Sequence, residues 1–243
     1  MIIYKCDRAR DGVLCCVFES FLKKEQPVAV YSCDFQPMLG ATVKDIKTED
    51  EKAQRVRNAL IKSGGIGLLS ELFLPLRSFD ETRETVIFNV AKRCINEKRN
   101  VLTDYTDPNV LSHYDMTKKI RNEVHRMHGF IRFSECFGGL YAHFEPDNDI
   151  IDLVAPHFAK RFSSERFILH DTKRNLLTFY DGKSIKTTKA SGAVTVHLTE
   201  DEEKFRSLWK TYFHSVAIET RKNTRLQDGY LPRRYRKNIN EFL

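Results

Sequence analysis

The side chains with the strongest claim to chemistry are His170 and Asp171, adjacent in sequence, and His157 and Arg161, four residues apart. Imidazole titrates near neutrality and so can carry a proton at physiological pH, while residues at i and i+4 are neighbours on a helix surface. Brought together, His157, His170 and Asp171 would supply a proton donor and an anion pocket. Kept apart, each is an ordinary structural hydrogen-bonding group. A second set is cationic. Between Arg221 and Lys237 seven Lys and Arg residues accompany a single acid, Asp228, so this window nets +6 of the chain's +7. Basicity this local implies a local anionic partner, of which a polyphosphate backbone is the commonest. Arg221, Lys222, Arg225, Arg233, Arg234, Arg236 and Lys237 are interleaved with Tyr230 and Tyr235. Arginine clamps phosphate oxygens and tyrosine stacks on bases. Arg161 and Arg132, the latter among the aromatics of HGFIRFSECFGGLYAHFEPD, complete the candidate nucleic-acid-binding set. The same charges also suit a protein contact or a solvated terminus, and alternating aromatics around Arg132 also suit a plain sheet core.

Other signals are weaker. His125 and His128 have helical i,i+3 spacing but no neighbouring carboxylate or cysteine completes a metal site. KSGGIG at 62–67 lacks the GKS or GKT ending of a phosphate loop. There is no CxxxCxxC, HExxH, DFG or GxSxG, so neither a cofactor nor a metal is expected in this chain. The six cysteines (6, 15, 16, 33, 94 and 136) lack CxxC pairing and fall in apolar patterns, which reads as reduced thiols packed as small hydrophobes. Charged residues within the first ten positions, and no apolar run approaching the ~20 residues that cross a bilayer, point away from export or membrane spanning and toward the cytoplasm.

The elements that must position these groups follow from hydrophobic period. Ile2–Cys6 and Val28–Tyr31 read as strands, 34–48 as a loop containing Pro37, and 13–24, 49–61 and 79–97 as helices, the second of them stopped at Ser63-Gly64-Gly65. Asp107-Pro108 opens another helix to about Arg126, with Leu111, Tyr114, Thr117, Ile120, Val124 and Met127 as its apolar series. At Gly129 the period becomes two, so 130–144 is an expected hairpin that places Arg132 on a strand. A helix over 149–162 containing Pro156, strands at 167–170, 176–180 and 184–188, and a long helix capped by Thr199 follow. Phe205, Leu208, Trp209, Tyr212, Phe213 and Val216 are expected to be that helix's buried face, delivering a flexible basic tail. The fold class is therefore α+β: a helical N-terminal half, a mainly antiparallel or mixed sheet, and a long C-terminal helix, with no parallel βαβ repeat of a doubly wound fold. The expected parts are 1–127, 128–220 and the basic 221–243, within one compact unit.

Several long stretches carry a resemblance: DGVLCCVF at 11–18, HGFIRFSE at 128–135, GLYAHFEPD at 139–147, LVAPHFAKRF at 153–162, ILHD at 168–171, LWKTYFHSVAIETRKNTRLQ at 208–227 and LPRRYRKNINEF at 231–242. In these the chain resembles a bacterial family described as DNA metabolism or DNA repair proteins, catalogued as domain of unknown function 4130. The resemblance implies work on DNA beside a radical-SAM partner that would carry an iron-sulfur cluster and S-adenosylmethionine; some members are fused to a uracil-DNA-glycosylase-like domain. By motif it marks Arg132, His157, Arg161, His170, Asp171, Arg221, Asn223, Gln227, Arg233, Arg234 and Tyr235. The chain departs from the family at Gly229-Tyr230-Leu231-Pro232, where members have a histidine-methionine-proline step, and at Arg236, where a tryptophan follows the tyrosine. The leading expectation is a DNA-binding accessory protein. The alternatives are a DNA-processing enzyme, such as a glycosylase or nuclease using His157, His170 and Asp171, and a scaffold for the radical-SAM partner.

Overall fold

A computed structural model describes residues 1–7, 9–32, 40–136, 138–239 and 242; Cys33, Pro37 and the 34–39 part of the expected loop lie outside them. The chain forms two compact units, Met1–Arg121 and Asn122–Leu243, and the basic segment belongs to the second.

The first unit is built on three parallel strands in the order β2-β1-β3: β1 (Ile2–Cys6), β2 (Ala29–Tyr31) and β3 (Thr42–Ile46). Helix α1 (Ala9–Leu22) connects β1 to β2, so a parallel βαβ unit is present where none was expected from the sequence. The two strands and the helix between them were expected; their parallel pairing was not, and β3, whose residues are mostly exposed, reads as loop. Gly12 lets α1 approach β1 closely: a Cβ there would sit 2.7 Å from Cys6 Cβ. Helix α2 (Asp50–Leu72) runs past the expected stop; Gly65, at φ 78°, breaks its geometry for one residue and the helix resumes. The stretch Asp50–Arg77 is long and apolar enough by composition to cross a bilayer, but its Ala53, Val56, Leu60, Leu68, Leu69 and Leu72 join the core of this unit. Helix α3 (Arg83–Glu97) buries Val86, Ile87, Val90, Ala91 and Cys94 as its period requires. The four described cysteines of this unit, Cys6, Cys15, Cys16 and Cys94, are free thiols within that core.

Helix α4 (Pro108–Phe130) starts as the sequence predicts, with Asp107 Oδ1 accepting from the backbone N–H of Asn109 (2.7 Å) and Val110 (3.1 Å). Thr117, Ile120 and Met127 of the expected apolar series are buried, together with Val110, His113, Met116 and Glu123, whereas Leu111 and Tyr114 are exposed.

The second unit holds a mixed sheet in the order β4-β5-β6-β7-β8: β4 (Ser134–Cys136), β5 (Gly139–Phe144), β6 (Phe167–Asp171), β7 (Leu176–Tyr180) and β8 (Ile185–Lys189). Only β5 and β6 are parallel, joined through α5 (Ile151–Arg161), which makes a second βαβ unit; the other neighbours are antiparallel. Helix α5 accommodates Pro156 at an exposed position and buries Ile151, Val154, Ala155 and Phe158. Phe133 packs edge-on against Phe158, Phe162 and Phe167, with centroids 5.0, 5.0 and 5.5 Å away. Gly139 (φ 152°) sits where a Cβ would come within 2.4 Å of Arg166 O, so only glycine permits this approach to the chain entering β6.

Helix α6 (Glu200–Val216) is capped by Thr199, whose Oγ1 accepts from Glu202 N–H at 3.2 Å. It has no buried residue, which overturns the expected apolar packing face. The helix leans on β4 through polar groups instead: Glu135 N–H donates to Glu202 Oε2 (3.2 Å), and Arg206 donates to Ser134 Oγ. Phe205 and Leu208 are 63% and 68% exposed, and Trp209, Tyr212 and Val216 are exposed beside them. Period analysis finds an apolar stripe without showing which way it faces. The helices α7 (Thr224–Tyr230) and α8 (Arg233–Arg236) follow.

Candidate nucleic-acid interface

The basic segment is folded onto its own unit. Asn223 caps α7, accepting from Leu226 N–H through Oδ1 at 3.0 Å. Pro232, at φ −54°, precedes α8, which inserts Tyr235 into the unit; Tyr235 and Ile239 are buried. The Tyr235 hydroxyl donates to Glu123 Oε1 at 2.7 Å. Glu123, buried on α4, also accepts from the backbone N–H of Asp147 (2.7 Å) and Asn148 (2.9 Å) and from Asn148 Nδ2 (2.7 Å). Burial, then the Glu123 carboxylate, pushes the Tyr235 phenol up to about 12, so it stays a donor at all ordinary pH.

This docking takes up much of the charge that the composition advertises. Arg233 and Arg236 both pair with Asp228, at 2.9 and 2.5 Å, and hold its carboxyl below the usual range. Arg234 pairs with Asp147 at 3.0 Å and donates to the Tyr235 hydroxyl at 3.0 Å. Lys237 pairs with Glu145 at 2.5 Å and lowers that carboxyl. Asp228 within the segment and the distant Asp147 and Glu145 together offset RRYRK, and the expected flexible tail is docked through a short helix. By contrast, Arg221 and Arg225 are exposed and make no ion pair among the described residues.

Arg221 and Lys222 instead border a groove of about 670 Å³. Phe213, Ile218, Leu226 and Phe242 give it an apolar floor, and Asn223, Gln227 and Tyr230 contribute polar groups. A cavity of this size and mixture suits an organic ligand or one or two nucleotides. Tyr230, 76% exposed, offers an open ring face.

The remaining sequence candidates are dispersed. Arg132 lies between α4 and β4 rather than on a strand, because α4 extends to Phe130; its Nη1 donates to Gly129 O at 2.7 Å. Arg161 is exposed on α5 with its guanidinium 5.6 Å from the Phe162 ring centre. His157 stacks on His128 with ring centres 4.0 Å apart. His170 is buried on β6; its Nδ1 meets the Tyr141 hydroxyl at 2.8 Å and its Nε2 meets Asn175 Oδ1 at 3.3 Å. Because the amide oxygen only accepts, Nε2 is the donor in the contact with Asn175. Asp171 is fully buried at the β6–β7 turn, accepting from Lys173 N–H and Arg174 N–H and pairing with Arg174 Nη1 at 3.0 Å; burial pushes its carboxyl up. Thus His170 and Asp171 are adjacent in sequence but engaged separately, and the ring partners of His157 are His128 and Phe158. Among the described residues no cluster of three or more His, Cys, Asp or Glu side chains could hold a metal. Glu123, Asp147 and Asn148 escaped the sequence reading; the available sign was Glu123 falling at the core-facing interval between Ile120 and Met127.

The molecule is thus a two-unit α+β protein that presents an aromatic groove with a cationic rim. It belongs to the family described as a domain of unknown function, DUF4130, which matches residues 81–241. No curated protein and no solved structure matches the chain.

Proposed function

We propose that this chain is a DNA-binding accessory protein of bacterial DNA repair or modification, working in the cytoplasm beside a radical-SAM partner that carries the iron-sulfur cluster and S-adenosylmethionine. The observation that carries the binding part is the division of the cations: Arg221, which lines the aromatic groove, and the exposed Arg225 make no ion pair among the described residues, while Arg233, Arg234, Arg236 and Lys237 are occupied in holding the segment down. Bound phosphates displace counterions, so affinity falls steeply with salt, and each phosphate contact adds about 0.7 to 0.9 to the logarithmic slope. The partner comes from the family resemblance, and the outward apolar face of α6 is compatible with an accessory role.

A salt-series DNA titration tests the reading. Replacing Arg221 and Arg225 by alanine is expected to flatten the slope by roughly one to two. Replacing Arg233 and Arg236 is expected to lower stability and leave the slope nearly intact. A weakly salt-dependent interaction, or equal slopes for wild type and the Arg221→Ala/Arg225→Ala variant, refutes it.

A further inference from the structure

Side chains alternate between the two faces of the second unit's sheet. Phe167 and Tyr180, with ring centres 5.1 Å apart, belong to the face that carries the aromatic cluster around Phe133. The opposite face carries Ile168 on β6, Phe179 on β7 and Lys186 on β8, which are direct cross-strand neighbours. There Phe179 is 39% exposed, and Lys186 beside it is exposed as well. Where β6 begins and β7 ends, Ile168 and Phe179 line a cavity of about 270 Å³ together with Cys136, Arg166 and Asp181. This cavity has no residue in common with the groove beside Arg221. Its volume is just under that of pockets for larger organic ligands, so it fits one small ring system and not a polymer.

Three kinds of group converge here. One is flat and apolar, the Phe179 ring with Ile168 beside it. Another is the Asp181 carboxylate, whose Oδ1 accepts from Ser184 N–H (2.7 Å) and Lys183 N–H (2.9 Å) and whose Oδ2 accepts from the Ser184 hydroxyl (3.0 Å). Those bonds hold its carboxyl at about 2, so it is an acceptor at neutral pH, and Oδ2 keeps a lone pair for a further N–H. The third is cationic: the exposed Arg166 and Lys186 make no ion pair among the described residues. A single ligand that satisfies all three has a planar ring, an N–H edge and an anionic tail. We propose that this cavity is a nucleotide site, with one unpaired base against Phe179, its N–H edge on Asp181 and its phosphate on Arg166 and Lys186. A base inside a duplex does not fit, because its faces are stacked and its N–H edge is paired. The nucleotide is therefore free or part of a single strand, and both present the same chemistry to these residues.

Ligand-observed NMR titration of the full chain reads binding, and alkylation of Cys136 followed by peptide mass mapping reads its location. Cys136 is the half-buried thiol in the cavity wall, whereas Cys6, Cys15, Cys16 and Cys94 are buried. Thymidine monophosphate at millimolar concentrations is expected to bind and to slow the alkylation of Cys136; deoxyribose 5-phosphate is expected to do neither. Phe179→Ala is expected to weaken binding between about fivefold and a hundredfold, the worth of one stacked base. Arg166→Ala weakens it several-fold, and Phe179→Trp, which keeps a stacking plane, retains it. Phe179 and Arg166 are exposed, so circular dichroism and Tm of these variants stay those of the wild type. A short single-stranded oligothymidylate that binds more tightly than the mononucleotide, with the same dependence on Phe179, identifies a strand as the source. Equal affinity, or tighter binding that ignores Phe179, identifies the free nucleotide. A sugar phosphate that binds as well as the nucleotide overturns the proposal, since the cavity would then hold only an anion. So does the absence of any Phe179-dependent binding by both nucleotide and strand. The Arg221→Ala/Arg225→Ala variant leaves this cavity intact, so mononucleotide binding by that variant separates a failure here from a failure of the groove reading.

Discussion

Replacing Tyr235 by phenylalanine removes one oxygen and tests how the basic segment is held. That hydroxyl ties α8 to Glu123 by a hydrogen bond of 2.7 Å, and Arg234 leans on it at 3.0 Å. A buried hydrogen bond to a charged acceptor contributes roughly 1.5–3 kcal/mol. Glu123 keeps its three other donors, from Asp147 and Asn148, so the Tyr235→Phe loss should stay near the lower figure, about 1.5 kcal/mol. Glu123→Ala strands all four donors and should cost about 4–6 kcal/mol, since each unsatisfied buried group costs roughly 1–3 kcal/mol and some regain water. Because the two residues share one bond, the double variant should be about 1 kcal/mol more stable than the sum of the singles predicts. Urea denaturation followed by circular dichroism measures all three, and limited trypsin digestion of the single variants should show earlier cleavage within Arg233–Arg236. Additivity of the two substitutions within about 0.4 kcal/mol would refute the coupling and with it the account of how the segment is anchored.

Two further tests address the second unit. Gly139→Ala forces a Cβ against Arg166 O and imposes a left-handed-side φ on an L-residue, so thermal denaturation should show a loss of about 2–4 kcal/mol. His128 is held below its ordinary 6.5 by burial first, then by His157 and His125, so it is neutral in the folded protein. A depressed folded pKa means that its contribution is complete above pH 6.5 and is lost as pH falls through the folded value. His128→Phe should keep the ring stack, leave stability at pH 8 little changed, and reduce the loss of stability on acidification below 6.5; an unchanged acid slope counts against the assignment.

Legibility in the sequence followed the reach of each signal. The helices with a clear apolar period, α3 and α5, and the caps Asp107 and Thr199 were readable because the determining residues are local. The parallel sheet of the first unit was readable only in its strands β1 and β2, because β3 carries little pattern of its own and pairing direction depends on partners distant in sequence. Arg132 was placed on a strand because alternation around it imitated one, yet the hydrogen bond from Ile131 N–H to Met127 O continues the α4 turn. The candidate site divided in the same way. Asn223, Gln227 and Tyr230 converge through local helical spacing in α7. The neutralisation of Arg234 and Lys237 depends on Asp147 and Glu145, some ninety residues earlier, which a charge count along the chain does not see. Composition located the cations; only the fold separated those that hold the structure from those that face outward.

The shallow seating of α6 also has a kinetic side. A helix held to its sheet by the Glu202 and Arg206 contacts and the Cys136–Leu198 bridge, with no buried side chain of its own, can detach without opening the aromatic cluster around Phe133. Its amides should therefore exchange with solvent through a local opening of low free energy, well ahead of those in β6 and α5. Such an element can be captured in more than one orientation before it is committed, and its rate of detachment would set how quickly any assembly built on that helix exchanges its members.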